Sequence, residues 1–430
     1  MGLDQNWLTL YSIQFITFLS YAGILIYLNL QNNFNFSKFN LGILVLFYSL
    51  IIIMLNNYVS YIYTDNFFIF STADAYTYHL LAQSFNQKSS IIDAFESLSR
   101  IYGYDDFGAV FMVAMVYKIA ESNLVLNVLY WITGVFSALG IFSVSNHFMS
   151  KKYAFLCAFS FSASSFMLWF HSSGLKESFM IFLVIQAYVN FYNYRKTTSV
   201  KSIIYIVLFL TLILFFRPAV SFLILTSFSL GILLVQKMSP IKIFSVSLIA
   251  IVFLSVLPLI VEQQNRYTSE GNIEDLLERK EADGMVKGSL QFTYFVNAMS
   301  SFLGPLPTFS NNVKQTISFY SYGLYFRVLT SFLFILSLFF IFKLKAYSLY
   351  PIMLFTLFEM ASLILILESL ELRKSLPHFP FIYILSFWAI YYINDILKKQ
   401  DIKTYKSFVV MNNLALFLFL GLVFYWNFRF

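Results

Sequence analysis

The sequence predicts an all-α, polytopic transmembrane helix bundle of about twelve spans, with two longer outer loops that contain short interfacial helices. Hydrophobic residues make up 59% of the 430 positions and charged residues only 11%, and mean hydropathy is +0.73, a composition suited to lipid. The apolar residues fall in runs long enough to cross about 30 Å of hydrocarbon at about 1.5 Å per residue. Basic residues gather on alternate loops, as in a protein inserted with one face toward the cytoplasm.

Taken in order, the runs lie at about 8–30, 41–63, 124–146, 153–170, 177–194, 202–216, 218–235, 243–261, 325–342, 348–367, 376–394 and 407–427. Together they read as one integral membrane domain over 1–430, with 64–123 as the first outer loop and 262–324 as the second. The stretch Phe107 to Ile119 is apolar but short and carries Lys118, so it is expected to lie in the interface or dip in partway. The first run follows no basic segment and precedes no small-residue cleavage site, which reads as a retained span. The aromatic content of 20% suits interfacial and lipid-facing positions, and a coding bias toward Phe, Ile, Tyr, Asn and Lys explains it equally well. The single Cys157 has no partner for an intramolecular disulfide, and no Cys-His spacing suggests zinc. The formal charge of +7 is dispersed in ones and twos between apolar runs, which fits membrane insertion better than nucleic-acid binding.

Orientation follows from the short loops. Lys38, Lys151, Lys152, Arg195, Lys196, Lys201, Lys237, Lys242, Lys343, Lys345, Lys398, Lys399, Lys403 and Lys406 share one side with only two acids, Asp395 and Asp401. That side is assigned to the cytoplasm. Both termini and both long loops then face outward, with nearly every acidic residue.

Charges between apolar runs are where chemistry is sought, because they are costly beside hydrocarbon unless partnered or used. The polar hinge His171-Ser172-Ser173-Gly174-Leu175-Lys176-Glu177 and the junction Phe216-Arg217-Pro218 are both expected at the outer face. A helix starting near Lys176 would point its N-terminus outward and favour an anion there, with Ser172 and Ser173 as capping hydroxyls. Pro218 suits the first position of the next helix. Arg373 and Lys374 stand at the outer mouth of 376–394. Lys176, Arg217, Arg373 and Lys374 are therefore the candidate lipid-diphosphate ligands, since guanidinium forks match phosphate oxygens and Lys adds a point charge. Snorkelling to headgroups explains Lys176 and Lys374 equally simply, but an outer Arg217 pressed between two spans is harder to dismiss.

Among acids, Asp74 in Thr72-Ala73-Asp74-Ala75-Tyr76-Thr77-Tyr78-His79 is the first candidate for a general base, although a helix cap is an equally good use of it. His79 would orient or share the proton, and Glu177 and the loop acids stay open as bases. Asp105 and Asp106 suit sugar hydroxyls, a divalent ion or plain solvation. Glu359 is the one acid near the middle of a span, a functional candidate or half of a structural pair. His171 and His378 have no HxxxH or HExxH spacing, so no metal and no cofactor is expected.

The succession Asp74-Ala-Tyr-Thr-Tyr-His79, Ser173-Gly-Leu-Lys-Glu177, Phe216-Arg-Pro218, Phe302-Leu-Gly-Pro-Leu-Pro307 and Arg373-Lys-Ser-Leu-Pro377-His-Phe-Pro380 resembles the polytopic polymerases of O-antigen and capsule repeat units. It also looks like the wider class of lipid-carrier-dependent GT-C glycosyltransferases, although the acidic loop follows the second span here and the first span there. The resemblance implies a bacterial inner-membrane enzyme facing the periplasm. Its substrate would be an undecaprenyl-pyrophosphate-linked oligosaccharide, and its expected partners the lipid bilayer and a chain-length regulator protein. A GT-C transferase adding one sugar, a flippase or transporter, and a purely structural membrane partner are the competing readings. A transporter would need charges through the bundle core and related halves, whereas only Glu359 lies deep and no repeat is visible.

Overall fold

Hydrocarbon offers the backbone no hydrogen-bonding partner, so an apolar run of this chain satisfies its amides by folding into helix. A computed structural model describes residues 5–31, 33–64, 74–87, 107–235, 290–304, 306–307, 315–365 and 372–428, and these are helical apart from short turns. Two long helices open the fold, α1 (Gln5–Leu30) and α2 (Lys38–Thr64), followed by the short α3 (Asp74–Asn86) and α4 (Phe107–Ile119). The centre is built from α5 (Asn123–Ser145), α6 (Lys151–Ser162), α7 (Ser165–Ser172), α8 (Glu177–Thr197), α9 (Val200–Leu214) and α10 (Pro218–Val235). The remainder comprises α11 (Leu290–Leu303), α12 (Gln315–Leu329), α13 (Ser331–Lys343), α14 (Tyr350–Leu365), α15 (Leu372–Ser375), α16 (Phe379–Tyr391) and α17 (Ile402–Phe428).

Among the described residues seven helical stretches are long and apolar enough to cross a membrane, and the bent pair α6–α7 makes an eighth. This is fewer than the twelve expected. The helices α9 and α10 are apolar but short, and α8 spends Gln186, Asn190, Asn193, Arg195 and Lys196 along its 21 residues. The run at 243–261, the pair Asp105–Asp106 and the charged stretch 273–282 lie outside the described residues. In the stretch expected to be the first outer loop, α3 packs on α4.

The expected single span at 153–170 is broken. Helices α6 and α7 meet at 51°, and the cause is local. Ser164 takes an extended ψ of 144°, and its hydroxyl donates to the Phe161 carbonyl at 2.6 Å. A serine hydroxyl that captures a backbone acceptor competes with helix continuation. The two halves sit at the centre, α6 against α5 and α16, α7 against α2 and α12. Phe155, Phe159, Phe161 and Phe166 are wholly buried there. By contrast α17 leaves Phe417, Leu418 and Phe424 exposed, a peripheral helix whose apolar surface is matched to lipid.

One charge is absorbed inside this packing. Arg327 is fully buried and donates to the Ser301 and Phe302 carbonyls at 3.2 and 2.9 Å and to the Ser331 hydroxyl at 3.0 Å. Those carbonyls end α11, which leaves its last acceptors unpaired within the helix. The guanidinium caps them and lies over the Phe379 ring at 5.5 Å.

Candidate functional site

Four short stretches, distant in sequence, end at one place. The α7–α8 turn sets the first. Gly174 has φ +74°, a left-handed conformation that a Cβ would penalise, and its carbonyl accepts from the Tyr130 hydroxyl at 3.3 Å. The chain then enters α8 at Glu177, with Lys176 immediately before it. The expected capping of α8 by Ser172 and Ser173 is corrected: their hydroxyls turn back to the Leu168 and Phe170 carbonyls at 2.7 and 3.0 Å. They close the end of α7, where the Ser173 amide also returns to the Phe170 carbonyl at 3.3 Å.

The second stretch is the α9–α10 turn, and both of its leading carbonyls are occupied. The Gly108 amide donates to the Phe215 carbonyl at 2.8 Å, and the Lys176 ammonium donates to the Phe216 carbonyl at 3.0 Å. A Cβ on Gly108 would stand 2.8 Å from that same Phe215 oxygen, so only glycine permits the approach. Arg217 follows, and Pro218 opens α10 where its missing N–H costs nothing. Lys176 is thereby committed in part to holding the turn that presents Arg217, and its side chain is buried.

Arg217 and Arg373 meet across Glu177. One carboxylate oxygen, Glu177 Oε1, lies 3.7 Å from Arg217 Nη2 and 3.7 Å from Arg373 Nε. Arg217 Nη1 donates to the Lys374 carbonyl at 3.1 Å, which ties α15 to the same turn. Arg373 Nη1 donates to Asp74 Oδ2 at the start of α3. The two carboxylates differ sharply in access, the Glu177 side chain being 1% exposed and that of Asp74 40%. Among the described residues neither Glu177 oxygen accepts a hydrogen bond, so its role there is charge balance. A carboxylate so enclosed is badly placed to reach an acceptor hydroxyl.

Tyr78 stands one turn after Asp74 on the same face of α3. Burial, then Glu177 and Asp74, push its phenol well above the ordinary value, and Arg373 opposes them. The phenol thus stays protonated beside the cluster. His79 turns elsewhere, its Nδ1 sharing a 2.7 Å hydrogen bond with the Tyr117 hydroxyl on α4. Burial lowers its imidazole below the usual value, against Glu121, which keeps the ring neutral near pH 7. It braces α3 against α4 and is not drawn into the arginine cluster.

A second ionisable pair lies within the bundle. His378 Nδ1 is 3.4 Å from Glu359 Oε2, with side chains 1% and 3% exposed. Each was visible in the sequence, but their partnership was not, since 19 residues separate them. The signal was their isolation, because ionisable groups of neighbouring apolar spans tend to pair. Among the described residues no set of three or more His, Cys, Asp or Glu is arranged to hold a metal ion.

The cluster thus joins two guanidiniums through a buried carboxylate, with the more exposed Asp74 at its edge. No known protein-family model and no curated protein matches the sequence.

Proposed function

We propose that the protein is a polymerase of undecaprenyl-pyrophosphate-linked oligosaccharide repeat units, a glycosyltransferase of surface polysaccharide biosynthesis working at the periplasmic face of the bacterial inner membrane. The observation that carries this is the meeting of Asp74, Glu177, Arg217 and Arg373 from four separate stretches. Paired arginines are the side chains best matched to phosphate oxygens. An apolar bundle around them is where a polyprenyl tail would lie.

In the proposed reaction the growing chain sits with its lipid diphosphate against Arg217 and Arg373, with Lys176 and Lys374 adding positive charge. A hydroxyl of the incoming repeat unit attacks the anomeric carbon and gives its proton to Asp74. The new C–O bond forms as the bond to the diphosphate oxygen breaks, and the departing lipid diphosphate takes that electron pair. The arginines stabilise the charge that develops on it. Glu177 keeps the two guanidiniums apart and oriented; His79 supports α3 from behind. The energy resides in the lipid-linked donor, and no metal or other cofactor enters the scheme. The proposed topology retains twelve spans with both termini outside, since fourteen Lys and Arg share the assigned cytoplasmic side with only Asp395 and Asp401.

A deletion strain complemented with wild-type or Arg217→Ala protein tests this. The polysaccharide ladder should collapse to a single repeat unit in the deletion and stay collapsed with the variant, at equal membrane levels of protein. Loss of one sugar from the repeat would point to a single-sugar GT-C transferase, and an unchanged ladder with Arg217→Ala would remove the residue from the reaction.

A further inference from the structure

Arg373 is shared by two carboxylates of unlike character. Glu177 is buried at the first turn of α8 and lies between both arginines, whereas Asp74 approaches from the edge of the cluster. Two guanidiniums facing two carboxylates leave these four groups without net charge. Each guanidinium already faces a carboxylate, which weakens its pull on a further anion despite Lys176 and Lys374 nearby, and Asp74 Oδ2 is occupied by Arg373 Nη1 and so is not open to an acceptor hydroxyl.

Both difficulties are removed by one exchange. We infer that Asp74 is an internal stand-in for the substrate's phosphate: the lipid diphosphate takes its place on Arg373, and the carboxylate released becomes the base for the acceptor hydroxyl. The exchange selects Asp74 over Glu177 because 40% of its side chain already meets solvent and it belongs to α3, outside the central packing. Glu177 remains as the fixed counter-ion. Donor binding thereby precedes base activation, so an acceptor arriving first meets a carboxylate still held by Arg373. Tyr78, one turn along α3, keeps its proton throughout and can donate to the displaced carboxylate or to a phosphate oxygen.

The inference rests on the proposed diphosphate site, and the two are separable by experiment. The full chain in lipid nanodiscs is titrated calorimetrically with inorganic pyrophosphate. Wild type should bind, Arg373→Ala should lose binding, and Asp74→Asn should bind on the order of tenfold more tightly, because a competing charge has been removed. Asp74→Asn should at the same time abolish polymer formation. In wild-type protein, which avoids any folding defect of a variant, amidation of Asp74 followed by mass spectrometry should quicken when pyrophosphate saturates the site. Absence of pyrophosphate binding to wild type would sink the diphosphate site and the exchange with it. Binding to wild type with Asp74→Asn equal or weaker, or with Asp74 amidation unchanged or slowed, would overturn the exchange alone.

Discussion

Replacing Glu177 by Gln isolates the counter-ion that both arginines share. At 3.7 Å from each guanidinium, the gross Coulomb attraction per pair is about 4 kcal/mol at the effective dielectric suited to such sites. Desolvation offsets much of that, and breaking a buried pair from one side costs about 3–5 kcal/mol. Here the arginines keep partial contact with water, at 15% and 29% exposure. Each also retains another acceptor, the Lys374 carbonyl for Arg217 and Asp74 for Arg373. The expected loss is therefore about 2 kcal/mol of unfolding free energy. Unfolding in mixed detergent micelles measures it, with a double-mutant cycle against Arg217→Gln. A coupling of about 1 kcal/mol is expected for groups in direct contact. Unchanged stability of Glu177→Gln, or strictly additive single effects in the double variant, would refute the shared counter-ion.

Three further outcomes follow from the same geometry. Gly174→Ala should lower stability by about 1–2 kcal/mol in the same unfolding assay, because the φ of +74° places a Cβ against the following carbonyl. Arg327→Leu removes the donors that cap α11 and should cost about 3 kcal/mol, since hydrogen bonds from a buried charged group are lost together; a melting temperature equal to wild type would contradict that capping role. His79 favours its neutral form in the fold, because burial lowers it from 6.5. Its contribution is complete above that value and is lost as pH falls from 6.5 toward the lower folded value. Hydrogen exchange in 74–86 should accordingly accelerate at pH 5.5 relative to pH 7.5 after correction for the intrinsic rate. In His79→Gln that extra acceleration should vanish.

The legible parts of the chain were those where hydrocarbon makes a choice expensive. Apolar runs became helices, and Pro218 opens α10 directly after Arg217, as the cost of a mid-helix proline requires. Arg217 and Arg373 could be singled out because each interrupts or borders apolar sequence. Their common counter-ion could not, because Glu177 also reads as an ordinary first-turn acid favoured by the helix dipole. The Ser172 and Ser173 hydroxyls had two helix ends within reach, and only the folded turn decided for α7. The break at Ala163–Ser164 was concealed by an apolar run of normal span length, since hydropathy does not register which carbonyl a serine captures. Arg327 drew no notice for a related reason: the acceptors that satisfy it are backbone carbonyls of α11, and backbone leaves no mark in the residue pattern. Glu359 and His378 each stood out, but pairing across α14 and the start of α16 is a property of packing.

The most direct measurement supplies purified protein in nanodiscs with a synthetic undecaprenyl-diphosphate oligosaccharide and follows chain length on a gel. The wild-type protein should convert it to a ladder of repeats with release of undecaprenyl diphosphate, and Arg217→Ala should leave it as the single unit. A wild-type protein that binds the lipid without lengthening it, or an Arg217→Ala protein that builds the same ladder, would contradict the assignment of the arginine cluster to glycosyl transfer.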